Sequence, residues 1–357
     1  MPSLLNIESA PSATSAMPNA LRAEAIDIKW DPSLPIFAKP EFLGAIGDEY
    51  GWLGGIEGSG TVRCILPYTI MRKAGLRMVR FRGETIYLNA GLDLQEEKSF
   101  LNSVVEYFRK KNADIIIPAT NNALFRTYPD GASPAPYGSY IIDLRLSEEI
   151  LWKNVSKSTR SNIKAGQKDG VTIREGYEFI EPAYELIRDT FKRSKLAFMD
   201  RNSFKKFALS LGENGKLLMA EFQGVPQSYA LFSFSTPSAY WMYGGNILGQ
   251  HQGAMKLLQW ESVLLFRKLG VHKLDFYGAR INPPKGSKQE GINMMKKHLG
   301  ANLAQGYMWK YSLRPWRAWV YSTSVRLLRG GDIVDQEAQR LKDFSVEIGS
   351  CPEPNAS

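Results

Sequence analysis

The sequence predicts a mixed α/β fold built from two related halves, and three observations predict it. Short apolar runs bounded by Gly-rich turns alternate with longer stretches at helical spacing. The order hairpin, strand, long helix, strand occurs twice along the chain. The triplet Phe108-Arg109-Lys110 returns as Phe266-Arg267-Lys268, each time closing a helix that leads into an apolar strand.

In the first half, a helix is expected after Pro40, then a hairpin of residues 52–55 and 62–66 around Glu57-Gly58-Ser59-Gly60. Residues 78–88 are β-rich. Residues 94–112 place Phe100, Leu101, Val104, Val105 and Phe108 on one helical face, and Ile115-Ile116-Ile117 follows as a buried strand.

Pro, Gly, Ser and Ala crowd residues 129–138, which marks a boundary, and Tyr140-Ile141-Ile142-Asp143-Leu144 starts a new strand. Helices are expected at 184–191 and 204–211, and strands at 217–222, 228–234 and 239–243. A helix over 254–269 stops at Gly270, and a strand over 273–277 follows. The division expected is a disordered tail at 1–25, a first domain at 26–139 and a second at 140–300. A strand and helix at 301–330 return to the first domain, and 331–357 is a second tail.

Composition narrows the function. The chain has 357 residues with 45 Lys+Arg against 36 Asp+Glu, a net charge of +9, which favours anionic partners. Cys64 and Cys351 lie too far apart to suggest a disulfide framework, and His251, His272 and His298 form no cluster at ligand spacing, so no metal is expected. Residues 1–20 lack the basic start and apolar core of a signal peptide, and no apolar run is long enough to span a bilayer. A cytoplasmic location is expected, with the inner face of the membrane as the alternative.

From Trp152 to Gly170, Lys153, Lys157, Arg160, Lys164 and Lys168 recur every three or four residues. Such a stripe is either a solvated face or a phosphate-binding one. The same region, read as Asp143-Leu144, Ser147-Glu148-Glu149, Lys157-Ser158-Thr159-Arg160-Ser161-Asn162-Ile163, Ala165 and Gly170-Val171, resembles the opening of the second domain in Fem-type (FemAB-like) peptidoglycan-bridge aminoacyltransferases. Tyr240-Trp241-Met242-Tyr243-Gly244-Gly245, Leu257-Leu258-Gln259-Trp260-Glu261 and Asp275-Phe276-Tyr277-Gly278 resemble further motifs of that family. Gly291-Ile292-Asn293-Met294-Met295-Lys296-Lys297-His298-Leu299-Gly300 is similar to its G-x-x-x-F-K-x-x-F-G segment. The resemblance implies two GNAT-like acyltransferase domains in tandem.

It also implies roles. Lys296 falls on the family lysine held beside the reacting carbonyl, where an ammonium offsets developing negative charge. Met295 stands where the family has an aromatic that positions the donor. Arg193 and Arg201 lie where the family sets an arginine on the acceptor's phosphates, and Tyr243 and Tyr240 belong to the strand lining that cleft. Lys157 and Arg160 are the candidate phosphate contacts of the basic helix. Asp275 ends a strand and could hold or deprotonate the amine, or cap the following turn.

No Gly-x-Ser-x-Gly elbow is present, so direct transfer without a bound cofactor is expected. The co-substrate is aminoacyl-tRNA or acyl-CoA, and the acceptor an amine on a nucleotide- or lipid-linked glycan precursor. Gln250-His251-Gln252-Gly253-Ala254-Met255 approaches the phosphate loop of tandem GNAT acetyltransferases but carries Met255 where a small residue belongs, which favours aminoacyl-tRNA. A non-catalytic binder of phosphorylated glycan or tRNA is the alternative of another class. Arg314, Arg317, Arg326 and Arg329 with Trp316, Trp319 and Val320 suggest a helix whose tryptophans pack on the first domain, or one that makes peripheral contact with anionic lipid.

Overall fold

The computed structural model describes residues 20–349 apart from 89, 90, 119–122 and 195. The first half runs β1 (Arg22–Ile26), α1 (Pro40–Ile46), β2 (Glu49–Ile56), β3 (Val62–Lys73), β4 (Leu76–Phe81), β5 (Ile86–Tyr87), α2 (Leu94–Lys110) and β6 (Ile115–Ile116). Ala74 and Gly75, both at positive φ, make the tight β3–β4 turn. Asp93 caps α2 by accepting from the amides of Gln95 and Glu96, while the Glu96 side chain returns to the Asp93 amide.

The second half runs β7 (Ser133–Asp143), α3 (Glu148–Asn154), α4 (Lys157–Asp169), β8 (Thr172–Glu175), α5 (Ile180–Arg193), α6 (Arg201–Ser210), β9 (Gly215–Phe222), β10 (Val225–Ser235) and β11 (Ser238–Asn246). Then come α7 (Ala254–Lys268), β12 (Lys273–Asp275), α8 (Lys288–His298), β13 (Asn302–Ser312), α9 (Pro315–Arg329) and α10 (Ile333–Gly349).

Among the described residues one sheet joins all thirteen strands, in the order β1-β2-β3-β4-β6-β13-β7-β12-β11-β10-β9-β8 with β5 on β3. The seam is β13, which pairs with β7 from Asn302 to Lys310 and then with β6 at Tyr311 and Ser312. Each half keeps its own core, one around Phe100, Phe108 and Trp309, the other around Phe232, Trp260 and Phe266. A third core interlocks them: Ile36, Phe37, Phe42 and Leu43 pack among Ile187, Phe204, Phe207 and Tyr240.

Three expected segments differ. Residues 22–25, placed in a disordered tail, belong to strand β1, held by its ladder to β2 and by the Ala23 amide on Ser103 Oγ at 2.8 Å; residues 1–19 of that tail lie outside the described residues. The expected boundary at 139/140 falls inside β7. Pro134 and Pro136 fit a strand there because β12 covers only Ile141–Asp143, so their side of the ladder is an edge that needs no N–H. The expected carboxyl-terminal tail contains α10, which buries Val334 and Glu337 against β7 and its surroundings. No helix among the described residues is long and apolar enough to cross a membrane.

Candidate active site

β11 and β12 are parallel neighbours, yet they pair only at Ala239–Leu274 and Tyr240–Asp275. Beyond that point β11 continues to Asn246 while β12 stops, and the sheet opens at the carboxyl ends of both strands. Ligands gather at such openings in α/β sheets.

Two backbone irregularities shape the opening. The β10–β11 register jumps from Leu231–Tyr243 to Phe232–Trp241, leaving Met242 as an unpaired bulge residue. Met242 and Tyr243 therefore both line one cleft, which strict alternation would forbid. On the other strand, Tyr277 sits at φ 51°, a left-handed conformation that is rare for a non-glycine residue. This turn sends the Tyr277 amide to Asp275 Oδ1 at 2.8 Å and its carbonyl toward Lys296.

Lys296 lies in the last turn of α8 and is 6% exposed. Its ammonium donates to the carbonyl of Tyr277 and, at 2.9 Å, to that of Gly278. Burial pulls its pKa down to about 8, against the field of Asp275, which acts in the opposite direction. Asp275 accepts from Ser139 Oγ as well as from the Tyr277 amide, and burial raises its carboxyl above the usual range despite these bonds. The two opposite charges thus share one desolvated region behind the Tyr277 turn.

Tyr240 stacks on Tyr277 with ring centroids 5.3 Å apart and packs 4.4 Å from Phe37. The Tyr277 hydroxyl lies 3.0 Å from Met242 Sδ, linking the lysine's carbonyl cage to the cleft wall. The cleft itself, about 430 Å³, lies between the halves, with Arg80 and Arg82 from the first half facing Tyr243 from the second. Among the described residues no carboxylate lines it. Arg82 is fixed by Thr69 Oγ1 at 3.0 Å and the Ile46 carbonyl at 2.8 Å, and burial draws its pKa down to about 9.

The remaining expected residues are spread more widely. Tyr243 sits in the cleft wall within an aromatic group of Phe198, Phe204 and Phe207. Arg193 joins the end of α5 to the end of β11 through the Asn246 carbonyl at 2.6 Å. Arg201, at the start of α6, is paired with Glu181 and Glu185 on α5. Met295 faces α7, its sulfur 2.8 Å from Gln259 Nε2. Lys157 is exposed at the start of α4, whereas Arg160 turns inward and donates to the carbonyls of Trp152, Lys153 and Val155 at the end of α3. That gives Arg160 a capping task. Sequence reasoning passed over Arg80, Arg82, Ser139 and the Tyr277 turn; only the Asp275-Phe276-Tyr277-Gly278 motif pointed at the last.

A buried carboxylate stabilises the site from behind. Glu337 on α10 is fully buried between Arg280 at 2.8 Å and Arg340 at 2.9 Å, and Arg340 also donates to the carbonyls of Ile281 and Asn282. Helix α10 therefore ties down the loop that starts at Tyr277. Among the described residues no cluster of His, Cys, Asp and Glu could hold a metal ion.

The start of α7, read in the sequence as an imperfect phosphate loop, is covered. The Gly253 amide donates to His251 Nδ1 at 3.1 Å, and a Cβ on Gly253 would lie 2.6 Å from the backbone of Asn162 and Gly166 in α4. The backbones of α4 and α7 touch at this point.

The FemAB family model matches residues 131–224, a span that runs from β7 to the β9–β10 turn and ends before Asp275 and Lys296. The fold is similar to the crystal structure of FemX, with a TM-score of 0.63, 13% identity and coverage of 80% of this chain and 94% of that one. A conserved protein of unknown function from Bacteroides thetaiotaomicron aligns with a TM-score of 0.50, 9% identity and coverage of 77% and 90%. A tandem GNAT protein from the clavulanic acid biosynthesis pathway gives 0.45, 15%, 75% and 84%. The sequence matches no curated protein. The mixed α/β fold expected from the sequence is the fold of this chain and is shared with FemX, and the match to the FemAB family model supports the acyltransferase class.

Proposed function

We propose that this chain transfers an aminoacyl group from aminoacyl-tRNA directly to an amine of a phosphorylated cell-wall or polysaccharide precursor. The observation that carries the reading is the buried Lys296 ammonium behind the opened ends of β11 and β12, beside Asp275. The acceptor amine attacks the donor's ester carbonyl, a C–N bond forms, and negative charge collects on the carbonyl oxygen. The Lys296 ammonium offsets that charge. Collapse breaks the C–O bond to the ribose, and Asp275 relays the amine's proton toward the departing oxygen. No protein nucleophile is required, because positioning converts two bound reactants into an effectively unimolecular pair.

The cleft chemistry supports a phosphorylated acceptor. Arg80 and Arg82 project into a lining that holds no carboxylate among the described residues, and bidentate guanidinium groups suit phosphate. In this reading Arg193 and Tyr243 contact the acceptor, Arg201 joins them by exchanging its ion pairs with Glu181 and Glu185 for the acceptor's phosphates, and Tyr240 and Met295 shape the donor side. The exposed lysines of α4, Lys157 among them, track the tRNA backbone, while Arg160 holds the end of α3 beneath them. The covered start of α7 speaks for aminoacyl-tRNA over acyl-CoA, since the Gly253 amide is already bonded and buried. Such a donor places the reaction in the cytoplasm.

The test supplies labelled aminoacyl-tRNA or labelled acyl-CoA together with envelope precursor pools. Label from aminoacyl-tRNA on an acceptor amine, lost in Lys296→Met, supports the reading. Transfer from acyl-CoA alone overturns the donor assignment. Binding of tRNA or glycan without any transfer makes the chain a binder instead.

A further inference from the structure

The tryptophans of α9 do not pack on the first domain. Ala318 turns inward onto Met78, Ile115 and Ile117, while Trp316 and Trp319 are 65% and 68% exposed and Leu327 is 83% exposed. Together with the half-exposed Val320 they fall at helical spacing on one stripe. Beside this stripe lies an apolar groove of about 480 Å³ between α9 and the β3–β4 hairpin, lined by Leu76, Met78, Trp316, Val320, Tyr321 and Val325.

Cations dominate this face, and the carboxylate of Glu49 beside the hairpin is taken up by Arg72 and Arg77. Lys73, Arg80 and Arg317 are the charged residues of the groove lining, and α9 itself contains no Asp or Glu. Arg314 donates to Asn112 Oδ1 at 2.7 Å, which brings the exposed Lys110 and Lys111 at the end of α2 next to the helix. Arg326 is exposed further along. The carboxylate that meets Arg314 and Arg317 is Asp114, which is buried beneath them.

We propose that α9 and the adjoining groove form a docking surface for a bilayer containing anionic phospholipid. Indole rings favour the boundary between headgroups and acyl chains, an apolar stripe enters that boundary, and flanking cations meet lipid phosphates. A second protein would need matching acidic groups on an apolar surface, whereas an anionic bilayer supplies both features at once. Arg80 lines both the groove and the interdomain cleft, so docking sets the mouth of the cleft beside the lipid headgroups. The surface does not depend on the transfer chemistry, and its test uses no catalytic readout.

The full chain is mixed with vesicles of phosphatidylglycerol and phosphatidylethanolamine, or of phosphatidylcholine alone, and separated by flotation. Binding to the anionic vesicles is expected, weakened by salt and accompanied by a shift of tryptophan emission to shorter wavelength. The double variant Trp316→Ser with Trp319→Ser should lower the bound fraction about tenfold, and Arg326→Glu should lower it as well, with circular dichroism unchanged. Equal binding to both vesicle types, or binding indifferent to these substitutions, overturns the proposal. So does a dimer in solution that the tryptophan variant separates, since a second copy would then be what covers the face.

Discussion

The ammonium of Lys296 donates to the carbonyl oxygen of Gly278 at 2.9 Å, although eighteen residues and a turn of unusual backbone separate them. The neighbouring Tyr277 carbonyl completes the cage, and the left-handed conformation at Tyr277, which costs about 1–2 kcal/mol, is what aims it there. A conformation that sequence context does not favour is thus held in place to position one charge.

Lys296→Met keeps the length of the side chain and removes its charge. Turnover is expected to fall by about two to three orders of magnitude, the range seen when one charge-stabilising donor is lost. Substrate binding should persist. The carbonyls of Tyr277 and Gly278 lose a partner, so stability falls by about 1–3 kcal/mol. Single-turnover kinetics with a denaturant titration check both; full activity in a folded variant would remove Lys296 from the chemistry.

The pH dependence follows from the lowered pKa of Lys296. Below about 8 the folded protein keeps the ammonium, and above it the charge is lost, so the transfer rate should decline through pH 8. Lys296→Arg should move that decline upward, because guanidinium stays charged. Stability runs the other way. Between about 8 and the ordinary lysine value of 10.5 the unfolded chain binds more protons than the folded one, so this residue makes stability rise with pH there. A rate decline that Lys296→Arg leaves in place assigns it to another group.

Arg160→Ala deletes three bonds to the carbonyls that end α3. The expected cost is about 2 kcal/mol, read as a lower melting temperature, because bonds to a charged donor contribute about 1.5–3 kcal/mol. A rise in KM for aminoacyl-tRNA with unchanged stability would instead reveal a direct nucleic-acid contact.

Glu337→Gln leaves Arg280 and Arg340 facing a neutral group in a buried place. Breaking such a cluster from one side costs about 3–5 kcal/mol. The loop after Tyr277 should loosen with it, so protection of its amides from hydrogen exchange and kcat should fall together. Unchanged kcat at full saturation would separate α10 from the site.

Much of this was legible in the sequence because it is local. The apolar spacing of Phe100, Val104 and Phe108 specifies α2, and the alternation around Gly224 specifies the β9–β10 hairpin. Ser133–Gly138 was not legible: its prolines suit a strand only where one ladder edge is free, and that depends on where β12 stops. Lys296 and Asp275 stood out by motif, but their shared burial arises from Ser139 and Tyr277, brought together by two strands, the turn that follows one of them and a helix. Arg201 looked available in sequence; its partners Glu181 and Glu185 lie a helix away. Nothing in a linear pattern reports that pairing.

The seam strand β13 has a consequence for how the chain is made. Its last two residues close onto β6, so the amino-terminal sheet stays one strand short until residues 302–312 have left the ribosome. Through most of synthesis the nascent chain carries open edges on β6 and β7, the kind of edge that invites pairing with other chains. A prematurely ended product that stops before Asn302 would expose both edges permanently, and proteolytic clearance or aggregation, rather than a half-active enzyme, is its expected fate.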